Sequence, residues 1–394
     1  MGRPRCDPFN ANAVALAIEA GETTPLRAYE AYASVAARPY ARSSWEVLLK
    51  NCKGVETDNK PTLTIKHAKA QAVYWFDPVK PSNILTATFD NASLKVKGGA
   101  LIVVDGDRKI VYEKRGVKPQ DIVMTGWGGY ITIEAIRFCT DYNIALIILD
   151  WTRDLMSVVS PSVKQSGPLI CAQASCDPLP IAKALIRAKI EAHAALGAMK
   201  PDAASKAIAS LHHAPSITAI LIVEAQAARL AWVDHSIALQ WREAGSVPKG
   251  WKLPYGLRSR MTATPGTKSK GAKAATDPIN SMLNLALAVT IGRITAAITA
   301  RGLSPAIGII HKSPRWPLSY DAIEPLRPHI EAATFGFIGR HKFSASDFVI
   351  ENKTHAVKFF EPMMNVFVEA VSLPQPLINQ TVDYLLQTIH QTRK

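Results

Sequence analysis

The chain has 394 residues, 48% hydrophobic and 20% charged, a globular composition too long for one ordinary core. Its formal net charge of +14 points to a polyanionic partner, nucleic acid before an anionic membrane. No uncharged apolar run is long enough to span a bilayer, the amino-terminal stretch has no continuous apolar core, and the five cysteines are scattered. Those features argue against a transmembrane span, a secretion signal and a disulfide framework, and they fit a reducing cytoplasm.

Residues 1–83 are mixed in texture. "NAVALAIEAG" and "PLRAYEAYASVAAR" have helical spacing, and "TTP" before the second supplies a start signal. No chemistry-bearing motif falls there. The segment reads as a packing extension, with a DNA-binding accessory as the alternative. Residues 84–164 are β-rich. "NILTATFDNASLKVKGGALIVVDGDRKIVYEK" alternates apolar and polar residues, and "DGDR" between two β-branched runs predicts a hairpin. "GWGG" at 126–129 lacks the Lys-Ser/Thr of a P-loop and the full dinucleotide fingerprint, so it reads as a tight turn. "ITIEAIRFCTDYN" then predicts one short amphipathic helix, and "IALIILD" a fully apolar strand.

From 165 to 394 the pattern is helical. "DPLPIAKALIRAKIEAHAALGAM", "PSITAILIVEAQAARLAWVDHSIALQWREAG", "DPINSMLNLALAVTIGRITAAITARG" and "YDAIEPLRPHIEAATFGFIGR" carry apolar residues at three- and four-residue intervals. Between the second and third lies a basic loop near 257–276, too poor in apolar residues to bury a core. It serves either to order against DNA phosphates or as a solvated linker. The expected fold class is α+β: a small β-rich domain at 84–164, a larger, mostly α-helical catalytic domain at 165–394, and the extra segment at 1–83.

Chemistry concentrates late in the chain. Glu224 lies inside an apolar helix with Ile220, Val223, Ala227 and Ala228 around it, and a buried carboxylate is costly unless paired or bound to metal. His311 ends the apolar run "SPAIGIIH". Asp321 and Glu324 are spaced to share one helix face, although Pro325 removes a backbone hydrogen bond and predicts a kink or a late start. Two acids and an imidazole form a donor set that Mg²⁺ or Mn²⁺ accepts. Spacing alone leaves the alternative open, of a structural histidine beside solvated acids.

The motifs resemble those of the CRISPR-associated integrases, the endonuclease-integrases that insert new spacers into CRISPR arrays. "EAQAARLAW" at 224–232, "DPINSMLN" at 277–284, "GLSPAIGIIH" at 302–311 and "LSYDAIEPLRP" at 318–328 carry the resemblance, in order. "GGYITIEAIRFCTDYNIALIILD" looks like the family's strand-helix-strand, and the similarity spans roughly 84–375.

The resemblance implies that Glu224, His311 and Glu324 are metal ligands for Mg²⁺ or Mn²⁺, with Asp321 as an assisting acid whose loss is milder. It also implies a transesterification in which the 3′-OH of incoming spacer DNA attacks a repeat phosphodiester. A divalent cation would orient the nucleophile and neutralise charge at phosphorus. The implied partners are double-stranded DNA (spacer and leader-repeat target), a small dimeric protein of the adaptation complex and a second copy of the chain, with no membrane. Arg229, Arg258, Arg260, Lys268, Lys270 and Lys273 are candidates for phosphate contact, Arg229 alternatively for pairing with Glu224. Two other readings stay open: a transposon (casposon-type) integrase with the same catalytic site, and a non-catalytic DNA-binding scaffold.

Overall fold

The computed structural model describes residues 84–88 and 92–392, apart from 256–274 and shorter stretches at 117, 127, 151–152, 163–165, 236, 253–254, 313–314, 352–355 and 361–362. The expected extension at 1–83 and the basic candidates Arg258, Arg260, Lys268, Lys270 and Lys273 lie outside the described residues.

Strands come first: β1 (Ile84–Thr88), β2 (Ser93–Lys97), β3 (Ala100–Asp105), β4 (Arg108–Tyr112), β5 (Asp121–Thr125), β6 (Tyr130–Ile131), β7 (Ala145–Leu149) and β8 (Leu155–Val159), with helix α1 (Ile133–Asp141) between β6 and β7. They form two four-stranded sheets, ordered β1-β5-β7-β8 and β4-β3-β2-β6. In the first sheet β1, β5 and β7 run parallel, and β8 closes the edge antiparallel to β7.

The turns obey local chemistry. The expected "DGDR" hairpin joins β3 to β4, with Asp105 opposite Arg108 and Gly106 at φ 54°. Gly98 and Gly99, at φ 61° and 78°, turn β2 into β3. In the glycine stretch expected as a turn, Gly126 and Gly129 have φ 115° and 103°, and a Cβ on Gly129 would stand 1.8 Å from the Ala92 carbonyl oxygen, which accepts the Tyr130 N–H at 3.1 Å.

Strand alternation divides the core. Ile122, Met124 and Leu146 pack with Leu94, Leu101, Val103 and Phe138. Val123, Ile147 and Leu149 face the other way and join the core of the helices. β7 is therefore covered on both faces, which is why "IALIILD" shows no alternation.

Nine helices follow among the described residues: α2 (Gly167–Ser175), α3 (Pro178–Ala195), α4 (Pro201–His213), α5 (Ile217–Leu230), α6 (Pro278–Ala300), α7 (Pro317–Ala322), α8 (Arg327–Arg340), α9 (Met363–Val371) and α10 (Gln375–Gln391). The "DP" starts work as caps. Asp177 and Asp277 accept the N–H of Leu179 and Asn280, and the following proline occupies a position whose N–H has no helical partner anyway. Mixed α+β architecture is thus what the sequence leads one to expect.

Helix α6 is the axis of the helical part: every residue from Pro278 to Ile298 except Asn284 is buried. It is long and apolar enough to cross a membrane, but 89% of its apolar window is covered by this fold, so its hydrophobicity is spent on the core. Gly292 is where it meets the sheet; a Cβ there would lie 2.5 Å from Ile147 Cγ2. The next residue, Arg293, is 1% exposed, sits 2.9 Å from Asp121 Oδ2 on β5, and donates to the Leu373 carbonyl at 2.6 Å and to Gln375 Oε1 at 2.9 Å. Burial pushes the Asp121 carboxyl up, and Arg293 opposes that rise.

Removing the guanidinium strands a buried carboxylate. Arg293→Met is expected to lower unfolding free energy by about 3–5 kcal/mol, measured by denaturant titration, with much of the loss recovered in Arg293→Met/Asp121→Leu. An unchanged midpoint in the single variant would show that this pair does not support the fold.

Candidate functional site

The segment after α6 is folded by two buried polar side chains. Gln173 on α2 donates to the carbonyls of Ser304 and Ile307 at 2.8 and 2.7 Å and accepts the Ser304 N–H at 2.9 Å. Asp321 on α7 is fully buried and accepts the N–H groups of Ile309, of Ile310 at 3.2 Å and of His311 at 2.9 Å. The same carboxylate holds His311 Nδ1 at 2.7 Å. Gly308 permits the tight path, since a Cβ would come within 2.1 Å of the His311 carbonyl oxygen.

The imidazole is therefore aimed by its partner. With Nδ1 committed to Asp321, Nε2 is the nitrogen left to meet a ligand. Asp321's hydrogen bond raises the His311 pKa; burial works the other way, and the charges of Asp321 and Glu324 add to the rise against Arg327. The side chain is 32% exposed, so it stands at the edge of the core as the sequence suggests.

Asp321 and Glu324 do not share one continuous helix. α7 ends at Ala322, Glu324–Leu326 form a 3₁₀ turn containing Pro325, and α8 begins at Arg327. The break predicted from Pro325 is real, and it separates the two acids: Asp321 points into the 303–311 segment, whereas Glu324 meets α3.

There Glu324 Oε2 accepts from Lys189 Nζ at 2.7 Å, and Arg327 Nη2 lies 3.4 Å from Oε1. The same ammonium donates to Glu224 on α5. Lys189 is 3% exposed and Glu224 21% exposed, so the bridge is closed on the α3 side and open on the α5 side. Burial alone would raise the Glu324 carboxyl; Arg327 and Lys189 outweigh it, with His311 adding, and hold the group at about 2. Glu324 stays a carboxylate throughout the neutral range. Its depressed pKa contributes stability above the ordinary carboxylate range, which is lost as pH falls toward 2.

Two expectations about α5 need correction. The apolar residues around Glu224 do not enclose it: α5 buries Ile220 and Ala227 but exposes Leu221, Ile222, Ala228 and Leu230, because the helix lies at the surface. Arg229 is exposed and forms no ion pair with Glu224; Lys189 takes that role. Lys189 itself was missed, although a signal existed. Leu185, Lys189 and His193 lie at four-residue intervals on the buried face of α3. His193 leads to a second buried acid that was missed, Glu331 on α8, which lies 3.1 Å from His193 Nε2 and accepts from Trp232 Nε1 at 2.8 Å.

The donor set suits a hard divalent cation. Among the described residues no three His, Cys, Asp or Glu side chains converge as a ready-made metal cluster. What does converge is the Glu224–Glu324 pair, on an ammonium. That is a built cation position, with His311 on the neighbouring segment.

A model of the family described as CRISPR associated protein Cas1 matches residues 85–372. Among solved structures, the fold is similar to a casposase bound to integration product, at 21% identity and TM-score 0.61, over 77% of this chain and 90% of that one. It is also similar to a CAS1 protein from Thermotoga maritima, at 13% identity and TM-score 0.58, over 78% of this chain and 99% of that one. A chain of a Cas6-RT-Cas1–Cas2 complex matches at 14% identity and TM-score 0.58, over 98% of this chain and 42% of that chain. No curated protein sequence matches the chain. The matched span contains all four ordered motifs and, but for Ile84, the two four-stranded sheets, and on that match the chain belongs to the Cas1 family of CRISPR-associated proteins.

Proposed function

We propose that this protein is a divalent-metal-dependent DNA integrase that joins the 3′-OH of incoming spacer DNA to a repeat phosphodiester. The observation that carries the reading is the convergence of Glu224 and Glu324 on one cation position, beside a histidine aimed by a buried aspartate, in a chain of the Cas1 family. Glu224, Glu324 and His311 Nε2 would hold Mg²⁺ or Mn²⁺. When bound, the cation supplies Lewis-acid stabilisation of the phosphoryl charge and lowers the pKa of the attacking hydroxyl.

The chain's own groups do the rest. Asp321 fixes the imidazole's orientation, so the ligand nitrogen needs no search. Arg327 keeps Glu324 ionised inside the core. The net charge of +14 supplies the attraction that holds two DNA segments, a term that salt weakens. Arg229, exposed at the end of α5, is proposed for phosphate contact, and Arg258, Arg260, Lys268, Lys270 and Lys273 are proposed to share that task. A homodimer working with a small dimeric partner protein fits this reading, in keeping with the Cas6-RT-Cas1–Cas2 complex among the similar structures. The similarity to a casposase bound to integration product keeps transposon-end integration as the second reading, with the same chemistry.

A branched DNA that mimics a half-integrated spacer tests the site with nucleophile and target already in place. One phosphodiester is exchanged for another, so a single site serves both directions. With Mn²⁺ or Mg²⁺ the protein is expected to release the branch and reseal the repeat strand, and EDTA to stop it. A hydrolytic product without resealing would make the protein a plain nuclease, and no reaction would favour the scaffold. Preference for a CRISPR repeat over a transposon end in the branch separates the two integrase readings.

A further inference from the structure

Lys189 is a positive charge buried between the two carboxylates that the integrase reading assigns to a metal. Its side chain is 3% exposed, it rises from the middle of α3, and it lies between Ile186 and Ile190 on a face that also buries Leu185 and His193. An ammonium in such a place is retained only if it is paired. Two of its three donors are paired with carboxylates: one goes to Glu324 Oε2 at 2.7 Å, another to Glu224 Oε1.

Those oxygens cannot serve two cations equally. An ammonium and a divalent ion on the same pair of carboxylates would stand a few ångströms apart, in a region screened from water on the α3 side, where like charges repel strongly. Arg327 adds a third positive group beside Glu324. Charge balance points the same way: the ammonium and Arg327 already neutralise the two carboxylates, so a divalent ion added to them leaves two positive charges in excess, and release of the ammonium removes one of the two.

We propose that Lys189 is an internal cation that competes with the divalent metal for Glu224 and Glu324, so that metal loading releases its ammonium from the bridge. This rests on the reading of Glu224, Glu324 and His311 as metal donors. In the metal-free protein Lys189 holds the two carboxylates together and keeps α3, α5 and the 3₁₀ turn in register. On loading, the ammonium leaves by the open side of the bridge, where Glu224 is 21% exposed and a DNA phosphate can accept it. Lys189 is thus a positioning residue in one state and a phosphate contact in the other.

Mn²⁺ is the probe, and binding is read from the electron paramagnetic resonance signal of the free ion, without DNA. Lys189→Met keeps the volume of the side chain and removes its charge. The variant is expected to bind Mn²⁺ about tenfold more tightly than the wild-type protein, a coupling of ordinary size. It is also expected to melt lower than wild type in EDTA and to gain more on adding Mn²⁺. In the wild-type protein, acylation of Lys189 by an N-hydroxysuccinimide ester, mapped by mass spectrometry, should rise several-fold when Mn²⁺ is added. That arm decides the matter if Lys189→Met fails to fold. Mn²⁺ binding that is lost in Glu324→Gln, yet is equal or weaker in Lys189→Met with Lys189 labelling unchanged, overturns the competition and leaves the metal site standing. Mn²⁺ binding indifferent to Glu324→Gln in both backgrounds removes the metal site, and the competition with it.

Discussion

Glu224→Gln, His311→Ala and Glu324→Gln are each expected to slow strand transfer on branched DNA by about a hundredfold or more, a loss of about 3 kcal/mol of transition-state stabilisation. The three should differ in what else they lose. Glu224 and His311 are 21% and 32% exposed at their side chains, so water can replace part of what they give up, and the amide of Glu224→Gln can still accept from Lys189; melting temperature should fall little and DNA affinity should hold. Glu324 is buried between Lys189 and Arg327, and its amide would leave two cations short of a counter-charge. Glu324→Gln is therefore expected to cost several kcal/mol of stability as well. Rate measurements beside denaturant titrations separate the two losses. Near wild-type transfer by any one of the three, with Mg²⁺ or Mn²⁺ present, would remove that residue from the proposed ligand set.

This division between exposed and buried ligands was not legible in the sequence. The ordered motifs, the helix starts at Asp177 and Asp277, the hairpin at Gly106 and the break at Pro325 could all be read, because each is local chemistry. Caps, turns and prolines act within four residues of themselves. The cross-links that close the site are not local. Lys189 meets Glu324 across 135 positions and His193 meets Glu331 across 138, and periodicity on one helix says nothing about which buried charge it will face. The usable signal was weaker: an ionisable residue on an otherwise apolar face, as at Lys189, Arg293 and Glu331, announces a partner without naming it. Glu224 shows the converse. Its apolar helix suggested enclosure, and the structure instead leaves that helix at the surface with Leu221, Ile222 and Leu230 exposed.

Asp321 is where the structure reverses the order of expected effects. Read as an assisting acid, it should tolerate replacement better than the ligands. In the fold it is fully buried and accepts three consecutive backbone N–H groups as well as His311 Nδ1. Asp321→Ala leaves those donors without an acceptor, at about 1–3 kcal/mol for each one that stays buried, so the variant is expected to be severely destabilised and as inactive as His311→Ala. Asp321→Asn isolates the chemical role. With the amide oxygen kept on the Ile309 and Ile310 N–H groups, the NH₂ group faces His311, and in that orientation the imidazole keeps a hydrogen bond by turning Nδ1 into an acceptor. The proton then sits on Nε2, the nitrogen needed for the metal, and strand transfer should fall by about 10–100-fold while most of the stability remains. Nitrogen-15 chemical shifts of His311 report the tautomer directly. A wild-type tautomer and wild-type transfer in Asp321→Asn would reduce Asp321 to a cap on the 309–311 segment.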